Sequence, residues 1–203
     1  MTNNAKFIWL DKEKYPLLQD SCVSIFSKDR KKYRYGVAAL KKIYEFDKKI
    51  KCAEIEVFGD TRFYLWTNGD FVGTGPCPTG GDYEMPYQYS SKYDLDVDKN
   101  SIEFYARVQL TPTQQTDNSK CRGGFILSAR LMFEDDSEKT VSTDETWFAR
   151  QDREFLAPWC VDFTHQRDEW SNAVAAGSVW NVVPCPIKNL KEEVVSSKKF
   201  TAT

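Results

Sequence analysis

The chain of 203 residues carries one histidine, three methionines and six cysteines, none of the latter paired at a CxxC or CxxxC spacing. Each scarcity removes a class of function. His165 is the lone imidazole and the cysteines at 22, 52, 77, 121, 160 and 185 are spread about evenly, so the sequence holds no zinc ligand set. No nucleophile motif surrounds any serine or cysteine, and His165 with a distant cysteine is more simply a packed or exposed histidine. Charge of one sign is lacking too: 28 Lys and Arg stand against 30 Asp and Glu. The resulting net charge of -2 lacks the basic footprint of a nucleic-acid binder. No apolar run approaches the roughly 18 residues that span a bilayer. The FIWL patch near the N-terminus is too short for the apolar core of a signal peptide. The expected location is cytoplasmic, or secreted where a leader has been removed.

What the chain does have is apolar surface. Hydrophobic residues make up 41% and aromatics 14%, enough for a single well-buried core. A core of this size does not need a disulfide framework, and the cysteines read as structural thiols.

Strands dominate the pattern. In SIEFYARVQL, residues 101 to 110, Ile102, Phe104, Ala106, Val108 and Leu110 alternate with Glu103, Tyr105, Arg107 and Gln109. FILSARLMF, 125 to 133, repeats the alternation with Phe125, Leu127, Ala129, Leu131 and Phe133 facing inward. An acidic turn, EDDSEK, then leads to TVSTDETWFAR, another strand pattern. In RFYLWTNGDFVGTG, 62 to 75, Asn68-Gly69 is a type I′ hairpin signal, because both central residues of that turn need positive φ. The stretch from Gly73 to Asp98 is rich in glycine and proline and reads as a long loop. Helical signals are confined to a turn or two in 12 to 26 and to SNAVAAGSVW at 171 to 180. The fold class expected is all-β: an antiparallel jelly-roll β-sandwich of roughly eight or more strands with few short helices. A single domain over 1–203 is expected, with N-terminal strands and connections in 1–50 and a tail at 190–203 leading toward a further domain.

Five pieces, in order, resemble one family. They are KFIWLDKE at 6–13, CAEIEVFGDTRFYLWTNGDFVGTGP at 52–76, YDLDVDKNSIEFYARV at 93–108, STDETWFAR at 142–150 and DEWSNAVAAGSVWNVVPCPIKNLKEE at 168–193. Together they resemble the N-terminal, galactose-binding-like β-sandwich domain of bacterial α-L-rhamnosidases and related multidomain glycoside hydrolases. Phe63 and Trp66 stand where that family usually has tyrosines. The resemblance implies a non-catalytic accessory domain, without the family's catalytic acids, that binds a rhamnose- or galactose-like carbohydrate or scaffolds a catalytic domain absent from these residues.

Aromatic rings stack on the apolar faces of sugars, so Tyr64 and Trp66 on one side of a strand could form a sugar platform. The alternative is that they pack within the sandwich or against a neighbouring domain. Asp82, Tyr83, Tyr87, Gln88, Tyr89 and Tyr93 supply further rings and hydrogen-bonding groups on the expected loop, where binding residues concentrate. That loop suits docking equally well. Calcium is used by some sugar-binding sandwiches, but Asp94, Asp96 and Asp98, like Glu134, Asp135, Asp136 and Glu138, lack EF-hand spacing and read as solvated acidic turns. No cofactor is expected. A self-contained glycosidase would need two opposed carboxylates, and thirty acids make any such pair unspecific.

Overall fold

The computed structural model describes residues 4–18, 35–76, 88–111, 122–157, 160–165, 167–177 and 180–186. Within them lie a 3-10 turn, Pro16–Leu18, and thirteen strands. In chain order these are β1 (Ile8–Trp9), β2 (Gly36–Asp60), β3 (Arg62–Thr67), β4 (Asp70–Gly75), β5 (Gln88–Leu110), β6 (Gly124–Phe133) and β7 (Glu138–Ser142). The remainder are β8 (Phe148–Gln151), β9 (Phe155–Ala157), β10 (Cys160–Val161), β11 (Ser171–Asn172), β12 (Val174–Ala175) and β13 (Val182–Pro184).

Two strands organise the rest. β2 and β5 are 25 and 23 residues long and pair antiparallel for almost their whole length. Their register slips between Glu45 and Ile50, and on either side of that slip they have different neighbours. Residues 36–45 of β2 pair with 101–110 of β5 and with β8, while β3 and β4 extend the β5 side. Residues 50–57 of β2 stay paired with 91–99 of β5, and on the other edge of β2 residues 50–60 pair with β6 in place of β8; β6 in turn carries β1 and β7. The ribbon thus belongs to two layers, and a bulge of this kind is where a strand bends out of one and into the other. Among the described residues β13 adds the one parallel pairing, along Gln88 to Ser90 of β5.

The layers close on a common core. Ile102, Phe104, Ala106, Val108 and Leu110 are fully buried from the first layer, and Phe125, Leu127, Ala129 and Leu131 from the second. Trp147 lies between them, 6.2 Å from the Phe104 ring and 5.9 Å from Phe125. Its indole donates to the Ser142 carbonyl at 3.2 Å and the Tyr44 hydroxyl at 3.1 Å, so the one polar atom of this ring is satisfied. A second, small cluster of Phe58, Ile126 and Trp180 covers the outside of the second layer, with the Trp180 indole donating to buried Asp60 at 2.7 Å. The fold is the expected all-β, jelly-roll sandwich, antiparallel but for β13.

The expected alternations hold at 101–110 and 125–133, and Asn68 and Gly69 have φ of 50° and 88°, as a type I′ turn requires. Three expectations are corrected. The long loop ends by Gln88, where β5 begins, so Gln88, Tyr89 and Tyr93 are strand residues. Serine, lysine and aspartate hide the period-two pattern there, yet Tyr93, Leu95 and Val97 pack on the core while Asp94, Asp96 and Asp98 point out. Those three aspartates therefore decorate a strand, not an acidic turn. Finally, SNAVAAG contributes β11 and β12 where a helix had been considered, and Gly177 ends it at φ 69°.

Neighbouring residues on β5 test the assignment of faces. Phe104→Ala should cost about 3–5 kcal/mol in urea unfolding, and Tyr105→Ala about 1 kcal/mol. Equal losses would place Tyr105 in the core and contradict the layer assignment.

Candidate functional site

The site is the outward side of the first layer. Because the core takes Phe63 and Leu65 of β3, period two turns Tyr64 and Trp66 away from it. The register of β3 with β5 sets Tyr64 opposite Arg107 and Trp66 opposite Tyr105. Tyr64 and Trp66 stack at 6.3 Å with 26° between their planes. Trp66 also meets Tyr105 at 5.5 Å and Phe71 of β4 at 5.6 Å. Four rings from three strands thus form one half-buried aromatic surface.

Arg107 ties this surface to the next. Its guanidinium lies 5.9 Å from the Trp66 ring, 5.8 Å from Tyr105 and 5.1 Å from Phe155 of β9. Arg107 Nε donates to the Tyr105 hydroxyl and to Asp152, each at 3.1 Å. Asp152 is fully buried and accepts a second bond, 2.9 Å, from Arg150. Arg167 pairs with buried Glu154 at 2.8 Å. Trp170 then closes the far end, with Lys41 and Arg150 each 4.3 Å from its ring. Val37 and Ala39 of β2 are buried, and the Asp152 amide donates to the Val37 carbonyl at 2.9 Å, while Tyr64, Trp66, Tyr105 and Arg107 stay half-buried.

Of the residues singled out from the sequence, the structure brings only Tyr64 and Trp66 together on this face. Gln88 is buried beside β13, and Tyr89 is half-buried in the same pairing. Tyr93 packs against the core and donates its hydroxyl to the Thr74 carbonyl at 2.9 Å; a Cβ at Gly73 would lie 2.7 Å from its ring. These three are thus placed by packing. Asp82, Tyr83 and Tyr87 lie outside the described residues. Sequence reasoning missed Arg107, Asp152, Phe155 and Trp170 as members of the face. The outward half of 101–110, read opposite Tyr64 and Trp66 across the sheet, carried the signal for Arg107. Among the described residues no three His, Cys, Asp or Glu side chains are grouped to hold a metal ion.

No protein-family model matches the sequence, and no curated protein matches it. Solved structures do. The lectin of Pleurotus ostreatus, in complex with GalNAc, superposes with a TM-score of 0.59 at 20% identity over 91% of this chain and 48% of that one. The α-L-rhamnosidase of Dictyoglumus thermophilum gives 0.54 at 18% identity over 73% of this chain and 19% of that one. The GH78 family rhamnosidase of Bacillus sp. GL1 gives 0.53 at 16% over 91% and 20%. The chain thus spans about half the lectin chain and about a fifth of each rhamnosidase. At these identities the likeness is one of fold, and it joins the rhamnosidase-like sandwich read from the sequence.

Burial is the largest influence on Asp152, and it pushes the carboxyl above the ordinary aspartate range against the pull of Arg150 and Arg107. The native state then holds this proton more tightly than the unfolded chain, so the contribution to stability is greatest in acid and is lost as pH rises through the raised value. Asp152→Asn removes that slope. The stability of the natural chain minus that of the variant, from urea unfolding between about pH 3 and pH 8, should fall with pH and then level. A difference that grows with pH would mean that the two arginines outweigh burial.

Proposed function

We propose that this chain is a carbohydrate-binding, non-catalytic accessory domain of a glycoside hydrolase of the α-L-rhamnosidase kind. The observation that carries the reading is the stacked Tyr64–Trp66 pair with Tyr105 and Arg107 beside it, on the outside of a sandwich rather than in its core. A sugar ring offers an apolar face to such rings and hydroxyls to the polar groups at their rim. The fold shared with a lectin solved with GalNAc, and with several rhamnosidases, supports the same reading. The carboxylates nearest the face do not suit hydrolysis. Asp152 is enclosed between two arginines and Glu154 is buried on a third, so neither is presented to a substrate.

A second reading has its own observation. Phe163, 85% exposed, with Leu156 and Val161 nearby in the chain, gives the β9–β10 region apolar surface suited to docking a catalytic domain. The two roles separate in solution.

Calorimetric titration with L-rhamnose, galactose and GalNAc, with and without calcium, should give saturable binding to at least one sugar. Trp66→Ala should weaken it about tenfold or more while the circular dichroism spectrum is kept. Flat titrations for every sugar would overturn carbohydrate binding and leave the docking role.

A further inference from the structure

Beside the aromatic face opens a pocket of about 600 Å³, between the Lys14–Leu18 segment, Tyr35 and the β8–β9 connection. That is the size of a small-ligand site. It adjoins the face through a shared wall: Phe155 lines the pocket and also carries the Arg107 guanidinium on its ring at 5.1 Å.

The described lining is basic. Lys14, Arg153 and His165 contribute three bases, and no acid is among the described lining residues. Arg153 is already engaged, donating to Asp168 at 2.5 and 3.1 Å. His165 faces Asp162 at 3.3 Å. Lys14 makes no ion pair among the described residues; its ammonium lies 5.2 Å from the Tyr15 ring, and Tyr15, with smaller pulls from Asp168 and Glu169, holds its pKa above the ordinary lysine value. The Tyr35 hydroxyl, on the same wall, is screened from solvent and meets no hydrogen-bond partner among the described residues. A buried hydroxyl without a partner costs stability, and a polar ligand would repay it. Rings on the walls, an amide from Gln151, an ammonium in no ion pair and a hydroxyl with no partner among the described residues are the complement of a sugar ring that carries a carboxylate.

We propose that this pocket takes a hexuronate, with Lys14 meeting its carboxylate and Tyr35 a ring hydroxyl, while the neighbouring sugar of the same chain lies on the Trp66 face. This deepens the carbohydrate-binding reading and rests on it. The preferred ligand is then an acidic oligosaccharide, and its orientation is fixed by the charged end.

The test uses a hexuronic acid disaccharide and its carboxyl-reduced, neutral counterpart, titrated calorimetrically against the whole chain. The acid should bind about tenfold more tightly than the neutral disaccharide at low salt, since a hydrogen bond to a charged group is at stake. Lys14→Ala, at an exposed position, should erase that preference and leave neutral binding intact; Tyr35→Phe should weaken both. Trp66→Ala should weaken both sugars and keep the preference. Equal binding of acid and neutral sugar that still depends on Trp66 would overturn the uronate pocket and leave the carbohydrate reading standing. An acid preference that survives Lys14→Ala would overturn it as well. Absence of binding by either disaccharide would overturn the uronate pocket, and the carbohydrate reading would fall with it only where L-rhamnose, galactose and GalNAc also give flat titrations.

Discussion

The register of β2 against β5 is the constraint on which the molecule depends. The two strands pair from Gly36–Leu110 to Val57–Ser91, and the slip between Glu45 and Ile50 passes them from one layer to the other. At that bend Phe46 packs edge-on to Phe133 at 5.2 Å, so the turn out of the first layer is anchored in the second. A shift of one residue in this ribbon would reverse the faces of both layers at once, putting Phe104 and Val108 in water and Tyr105 and Arg107 in the core.

That constraint also makes the site. With inward positions filled by Phe63, Leu65, Phe104 and Ala106, the intervening residues Tyr64, Trp66, Tyr105 and Arg107 have nowhere to lie but the outer surface. Their juxtaposition across β3 and β5 follows from strand pairing and asks nothing of a flexible loop. Asp152 holds Arg107 from beneath, and Arg107 spans the rings of both Trp66 and Phe155. The aromatic platform and the basic pocket are therefore parts of one preorganised surface, which lowers the ordering cost of any ligand that uses both.

Much of this was legible. The alternations at 101–110 and 125–133 and the Asn-Gly turn are short-range signals, each sufficient within a few residues. What was not legible depended on distant partners. β5 before Asn100 is written in serine, lysine and aspartate, and its strand character comes from pairing with Glu54, Glu56 and the parallel β13. Gln88, Tyr89 and Tyr93 looked like loop groups for the same reason, though packing claims them. Tyr64 and Trp66 showed their common side, but whether that side faced core or solvent was open until Phe63 and Leu65 were seen buried. Asp152 and Phe155 reach the face through partners far away in the chain, the Val37 carbonyl and Arg107, a long-range arrangement with no local pattern.

The central claim is that the outer face of β3 and β5 is where sugar is held. Its most direct test follows the indole N–H signals of the tryptophans by NMR while the chain is titrated with L-rhamnose and with GalNAc. The account predicts that the Trp66 indole moves saturably, together with the amides of Tyr64 and Tyr105, while the enclosed indoles of Trp9 and Trp147 stay fixed. Saturable shifts that leave Trp66 unmoved and appear elsewhere would contradict it, as would a spectrum that neither sugar changes.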